Sequence, residues 1–226
     1  MMSRWFLALV ISCALSITAV SVASADMIGV NITWQRFHAY GSVYDYDIGH
    51  FYDSKTDSVP VSVTSGLYDI GVTSYASAGY NRVRGGTNAY GGVSGYGLAD
   101  TTYHFKPTAD TIDVTLWGTG WTFGSVSYEL TDLTLGQTLD SGSWRGDFDQ
   151  WFGEPAHVNE TRSYNLDKDH LYEMYFRAEG WDPAGSGTLN WTVVPEPATS
   201  LLTLLGGLAF LRHPRRGHPN RKHERV

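Results

Sequence analysis

Tyr172-Glu173-Met174-Tyr175-Phe176-Arg177 decides the fold. Tyr172, Met174 and Phe176 take every second position, with Glu173, Tyr175 and Arg177 between them. Side chains of a strand point alternately to its two faces, so the hexapeptide predicts a half-buried β-strand. The same period recurs on both sides of it. Ile112, Val114 and Leu116 alternate with Asp113 and Thr115; Val126, Tyr128 and Leu130 alternate with Ser127 and Glu129. Leu189, Trp191 and Val193 form a last strand, and Ile28, Val30, Ile32 and Trp34 a first one, which places Trp34 in the core with Trp191. Further strands are predicted near 36–46, 59–64, 67–76 and 101–106. Ser65-Gly66, Lys106-Pro107, Gly118-Thr119-Gly120, Gly136-Gln137 and Asp182-Pro183 punctuate these runs as turns. Many short strands without intervening helical stretches predict an all-β domain, an antiparallel β-sandwich of jelly-roll type. No fixed-period repeat supports a solenoid.

One stretch departs from this texture. Gly66 to Gly97 holds nine glycines, interleaved with Tyr68, Tyr75, Tyr80, Tyr90 and Tyr96. Its centre, Ala78 to Gly97, reads as a long mobile loop or a pair of glycine-rich edge strands. Its tyrosines suit contact with sugars or with another copy of the protein; a tolerated surface insertion is the plainer reading.

The two ends carry addresses. Arg4 precedes an apolar run, Trp5 to Val22, and Ala23-Ser24-Ala25 is a small-x-small cleavage site before Asp26. Residues 1–25 therefore read as a signal peptide with Ala23 and Ala25 at the cleavage site. The only cysteine, Cys13, lies within it, so the exported part can form no disulfide. At the other end, Val193-Val194-Pro195-Glu196-Pro197 breaks any helix or strand. An apolar run follows, with Leu201, Leu202, Leu204, Leu205, Leu208, Phe210 and Leu211 as its anchoring side chains. Arg212, Arg215 and Arg216 then form a positive stop, and residues 217–226 a basic tail. The run of 198–211 gives about 21 Å of helix against about 30 Å of hydrocarbon, so spanning needs local bilayer thinning or extension at either end.

This order of features resembles the PEP-CTERM sorting signal of Gram-negative and related environmental bacteria, over residues 195–216. The resemblance implies that Pro195, Glu196 and Pro197 are a recognition element for a membrane protease, an exosortase, and that the apolar helix holds the chain in the inner membrane until the tag is removed. Phe105-Lys106-Pro107, Tyr128 to Thr134, Tyr164-Asn165-Leu166, His170-Leu171-Tyr172 and the closing tryptophan strand also resemble the secreted β-sandwich proteins that carry this signal. That implies a fold and a destination, not an activity.

Between the signals lies one domain, residues 26–194, with 21 Asp and Glu against 9 Lys and Arg, a formal charge of −12. Such a domain is a poor polyanion binder, so nucleic acid is not an expected partner. No catalytic residue is predicted: Gly92-Val93-Ser94-Gly95-Tyr96 breaks the nucleophile-elbow pattern at its last position, and no phosphate loop or zinc motif is present. No metal site is predicted from the five scattered domain histidines, His38, His50, His104, His157 and His170. Asp45-x-Asp47, Asp147-x-Asp149 and Asp167-x-Asp169 are the pairs that could gather Ca2+, although none completes a calcium loop and solvated turn aspartates are the plainer reading. The densest aromatic–acidic cluster, Trp144, Asp147, Asp149 and Trp151, is the candidate ligand loop; tryptophans folded back as lids on the core are the alternative.

The expectation is thus an exported, exosortase-processed protein of the cell surface or extracellular matrix. Its expected role is structural or adhesive within exopolysaccharide, without enzymatic activity. A lectin-like carbohydrate-binding module and a secreted hydrolase are the alternatives.

Overall fold

The computed structural model describes residues 27–67, 72–88, 93–146, 154–181 and 184–195. Twelve strands run in chain order: β1 (Val30–Asp45), β2 (Gly49–Asp57), β3 (Val61–Leu67), β4 (Val72–Ala78), β5 (Arg82–Asn88), β6 (Ser94–Pro107), β7 (Thr111–Trp121), β8 (Gly124–Asp132), β9 (Gln137–Arg145), β10 (Ala156–Asn165), β11 (Tyr172–Trp181) and β12 (Ser186–Pro195). They form two six-stranded sheets. The front sheet has the order β2-β1-β6-β11-β8-β9 and the back sheet β10-β7-β12-β5-β4-β3. Adjacent strands are antiparallel, and from β5 onward the chain changes sheet at every connection except β8 to β9.

The alternating residues meet between the sheets. Ile112, Val114, Leu116, Leu189, Trp191 and Val193 of the back sheet are fully buried, as are Met174, Phe176 and Leu130 of the front sheet. Trp191 stacks flat on Phe176, with ring centroids 3.9 Å apart and an interplanar angle of 4°. Tyr103 stands edge-on to both rings at 6.4 Å.

Two expected core residues depart from this: Ile28, which precedes β1 and is 51% exposed, and Trp34. Trp34 is 45% exposed and lies against His104, with ring centroids 4.5 Å apart. The cause is a β-bulge: Ile32 faces Phe105 but Trp34 faces His104, so one extra residue of β1 breaks the register. A period of two turns that single residue into a change of face, and Phe37 and Ala39 take the core positions instead.

The described parts of the glycine-rich stretch form strands, and not a pair of edges. β5 pairs with β12 and β4, and β6 lies between β1 and β11, so both are interior strands. Glycine is needed there because the two sheets touch backbone to backbone. A Cβ on Gly85 would lie 2.5 Å from the Gly97 carbonyl oxygen and 2.6 Å from that of Ala178. A methyl on Gly97 would run into the carbonyl oxygens of Tyr75 and Gly86. The approach is close enough for the buried Ser74 hydroxyl to donate across the sandwich to the Ser42 carbonyl at 2.6 Å.

Where the two sheets end side by side, Arg162 of β10 ties them. Its guanidinium reaches Glu160 at 2.6 Å in its own strand and Asp140 of β9 at 2.8 Å. The first and last described segments meet at one corner: Met27 bridges Val193, and the Ile28 amide donates to the Val193 carbonyl at 2.7 Å. Pro195 is the last residue of β12, opposite Ile112, and packs on Gly29, whose φ of +87° suits glycine. Residues 1–25, read above as a signal peptide, Glu196, Pro197 and the apolar and basic segments after them lie outside the described residues.

Gly85→Ala and Gly97→Ala will each lower stability to urea by at least about 1–3 kcal/mol, the usual penalty for overpacking. Gly79→Ala, whose added methyl meets only Arg82 O at 3.4 Å, will stay within about 1 kcal/mol of the parent. Tryptophan fluorescence follows the unfolding, and equal tolerance at all three positions would contradict the backbone contact.

Candidate functional site

The strand directions sort the molecule into two ends. Met27, Pro195, Thr111, Asp132 and Tyr172 lie at one; Asp45, Gly49, Ser94, Trp121, Gly124, Arg145, Trp181 and Ser186 lie at the other. The far end, opposite Met27 and Pro195, begins with the β1–β2 hairpin. Asp45 Oδ1 accepts the backbone amides of Asp47 at 2.7 Å and Ile48 at 3.0 Å, and Gly49 closes the turn at a φ of +116°. This carboxylate therefore shapes a turn. Asp167 does the same for the amide of Asp169 at 2.9 Å. Among the described residues no group of three or more His, Cys, Asp or Glu gathers as a metal site, and Asp147 and Asp149 lie outside them.

The hairpin presents a row of rings to solvent. Tyr46 is 86% exposed and Tyr52 68%, with Tyr44 and His50 also exposed. Centroids run Tyr46 to Tyr44 at 5.3 Å, Tyr44 to His50 at 6.3 Å and His50 to Tyr52 at 5.6 Å. Antiparallel pairing places Tyr44 opposite His50 and Tyr52 opposite Ser42, so strand geometry sets the row. Tyr40 and Tyr96, 6.0 Å apart, continue it across the front sheet. Beside the row, between β2 and β3, opens a shallow cleft of about 410 Å³ lined by His50, Phe51, Tyr52, Asp53, Thr64, Ser65 and Gly66.

Farther across this face the polar groups satisfy each other. Glu179 accepts from Arg177 at 2.5 Å and from the Ser125 and Tyr96 hydroxyls, each at 2.9 Å. Burial pushes its carboxyl up, but these three donors outweigh burial and hold it below the usual carboxylate range. Burial, with Glu179 beside it, pushes the Tyr96 hydroxyl up to about 12. Asp100, almost fully buried on the same face, holds His38 Nδ1 at 2.8 Å and Arg36 at 3.5 Å.

Three histidines that look scattered in sequence thus each hold a carboxylate: His38 with Asp100, His104 with Glu173 at 2.8 Å, and His170 with Asp132 at 2.7 Å. The first two pairs bridge neighbouring strands and the third joins two turns, and nothing local in the sequence marks them. Of the candidate ligand loop, Trp144 is half-buried against the core with the Arg162 guanidinium 5.6 Å from its ring, while Asp147, Asp149 and Trp151 lie outside the described residues. Trp117 and Trp121 present exposed faces on the back sheet, and Trp181 lies under Arg145 at 4.9 Å.

No protein-family model and no curated protein matches the chain. Among solved structures, one similar chain is described as TmCBM61 in complex with beta-1,4-galactotriose. It shares 12% identity over 50% of this chain and 82% of its own, with a TM-score of 0.33, a likeness too slight to carry an argument.

The His170–Asp132 pair sets a pH dependence. The Asp132 hydrogen bond, aided by the Asp167 and Asp169 charges, outweighs desolvation and lifts His170 above the usual histidine range. Burial pushes Asp132 up, but His170 and the Leu135 and Thr134 amides hold it low. The histidine contribution is complete below its unfolded value of about 6.5 and is lost as pH rises through the raised folded value. The thermal midpoint of the parent minus that of His170→Gln will be largest near pH ~5–6 and will shrink toward pH ~9 in circular-dichroism melts. A difference that grows with pH would contradict the ion pair.

Proposed function

We propose that the protein is an exported, tail-sorted β-sandwich that adheres to exopolysaccharide at the cell surface or in the extracellular matrix. Its contact is the aromatic row Tyr46–Tyr44–His50–Tyr52. The observation that carries this reading is the exposure of these rings in one line at the end away from both termini. Planar rings offer apolar area to the C–H face of a pyranose at little entropic cost, and their hydroxyls keep the surface wet. Asp53, Thr64 and Ser65 in the neighbouring cleft supply partners for sugar hydroxyls. Exposed aromatics in such a concentration invite aggregation unless they serve a contact, which favours an interaction role.

The position of the termini supports the same reading. Export and sorting segments both attach at the corner of Met27 and Pro195, so a membrane tether there leaves the aromatic end facing outward. On this reading an exosortase-type protease removes the tag near Pro195, and the inner membrane is a transient station. The protein acts by binding and not as an enzyme, since the histidine–carboxylate pairs hold strands and turns together.

Affinity electrophoresis against a panel of polysaccharides, including the exopolysaccharide of the producing cells, tests the reading. The triple variant Tyr44→Ala, Tyr46→Ala, Tyr52→Ala will keep its circular-dichroism spectrum and lose at least about tenfold in affinity, given about 0.5–1.5 kcal/mol per aromatic contact. Absence of binding to every polysaccharide, or equal binding by the variant, would remove the proposal.

A further inference from the structure

The sandwich has four edge strands: β2 and β9 in the front sheet, β10 and β3 in the back sheet. Three are covered on their inner side. β3 buries Val61 and Val63, β10 buries Val158, and β9 is bound through Asp140 and Ser141 to Arg162. β2 differs: eight of its nine residues are exposed, and its outer edge stands in solvent. A long exposed edge offers unpaired amides and carbonyls to another strand.

Charge on such an edge usually blocks pairing, and the pattern of signs decides whether it does. The inner-facing residues of β2 read Phe51, Asp53, Lys55 and Asp57. Among the described residues neither Asp53 nor Lys55 has an ion-pair partner, whereas Arg36, Arg162, Arg177, His38, His104 and His170 all hold carboxylates. Their β1 neighbours are the small Gly41 and Ala39, which leave these side chains free to reach along the sheet.

We propose that β2 is a self-association edge, on which two copies pair antiparallel about a two-fold axis at Ser54. In this register Phe51 to Asp57 of one copy lie against Asp57 to Phe51 of the other. Asp53 of each copy then stands opposite Lys55 of the other, which gives two opposite-charge cross-strand pairs on one face. Tyr52 stands opposite Thr56 on the other face. Centring on Tyr52 sets Asp53 opposite Phe51 and Lys55 opposite Gly49 and so pairs no charge, centring on Asp53 or on Lys55 puts like charges face to face, and centring on Thr56 leaves only three residues of each strand to pair. The charges that would repel most partners thus select a second copy in one register. The resulting isologous dimer joins two front sheets and places both aromatic rows on one continuous surface.

The full chain in a Cys13→Ser background, in detergent micelles, tests this without any saccharide. Ser54→Cys will form a disulfide-linked dimer under mild oxidation, because the two-fold places residue 54 opposite itself at a Cα separation a disulfide can span. Thr56→Cys will not, because its opposite number is Tyr52. By sedimentation, Lys55→Asp will weaken self-association by about tenfold or more, and the charge exchange Asp53→Lys with Lys55→Asp will restore it. A monomeric parent chain, equal cross-linking at both positions, or a dimer indifferent to Lys55→Asp, as one held by the apolar tail would be, overturns the proposal.

Discussion

Trp191 lying flat on Phe176 is the contact on which the sandwich depends. The two residues belong to successive strands in different sheets: β11 sits between β6 and β8, and β12 between β7 and β5. Their stacking fixes the separation of the sheets at the centre, and Tyr103 wedged against both rings fixes their rotation. The Trp191 indole N–H finds no acceptor, a cost of about 1–3 kcal/mol that the stacked area must outweigh. The glycines of β5 and β6 answer the same constraint from the opposite side. Where no ring holds the sheets apart, the backbones close onto each other, and only glycine fits between them.

That construction leaves the two ends with different work. The corner of Met27 and Pro195 is stitched by backbone hydrogen bonds and by the packing of Pro195 on Gly29, so a chain leaving at either terminus starts from a fixed point. Pro195 is already part of β12, so the Pro-Glu-Pro stretch begins flush with the folded body. The far end is built from turns and strand ends, where rings and hydroxyls stand free of the core. At that end the long β1–β2 hairpin supplies both the aromatic row and the bare edge.

The core was legible where hydrophobic residues kept a strict period of two, as in Ile112–Leu116, Val126–Leu130, Tyr172–Phe176 and Leu189–Val193. It was misread where one residue broke that period: the bulge near Thr33 is silent in composition, yet it moves Trp34 from core to surface. β2, β9 and β10 escaped notice because their polar residues suit exposed edges. The glycine stretch misled because glycine marks loops and close backbone contacts alike, and only the opposing sheet distinguishes them. Of the site, Tyr44, Tyr46 and Tyr52 escaped notice, because their alignment arises only across a hairpin. The histidine–carboxylate pairs join residues 38 to 69 positions apart, beyond any local motif.

The most direct measurement is the intact mass of the mature protein recovered from fractionated cells. The account predicts a chain that begins at Asp26 and ends near Pro195, found at the cell surface or in the medium, with any added mass at that new C-terminus. A chain still ending at Val226 and held in the inner membrane would contradict it.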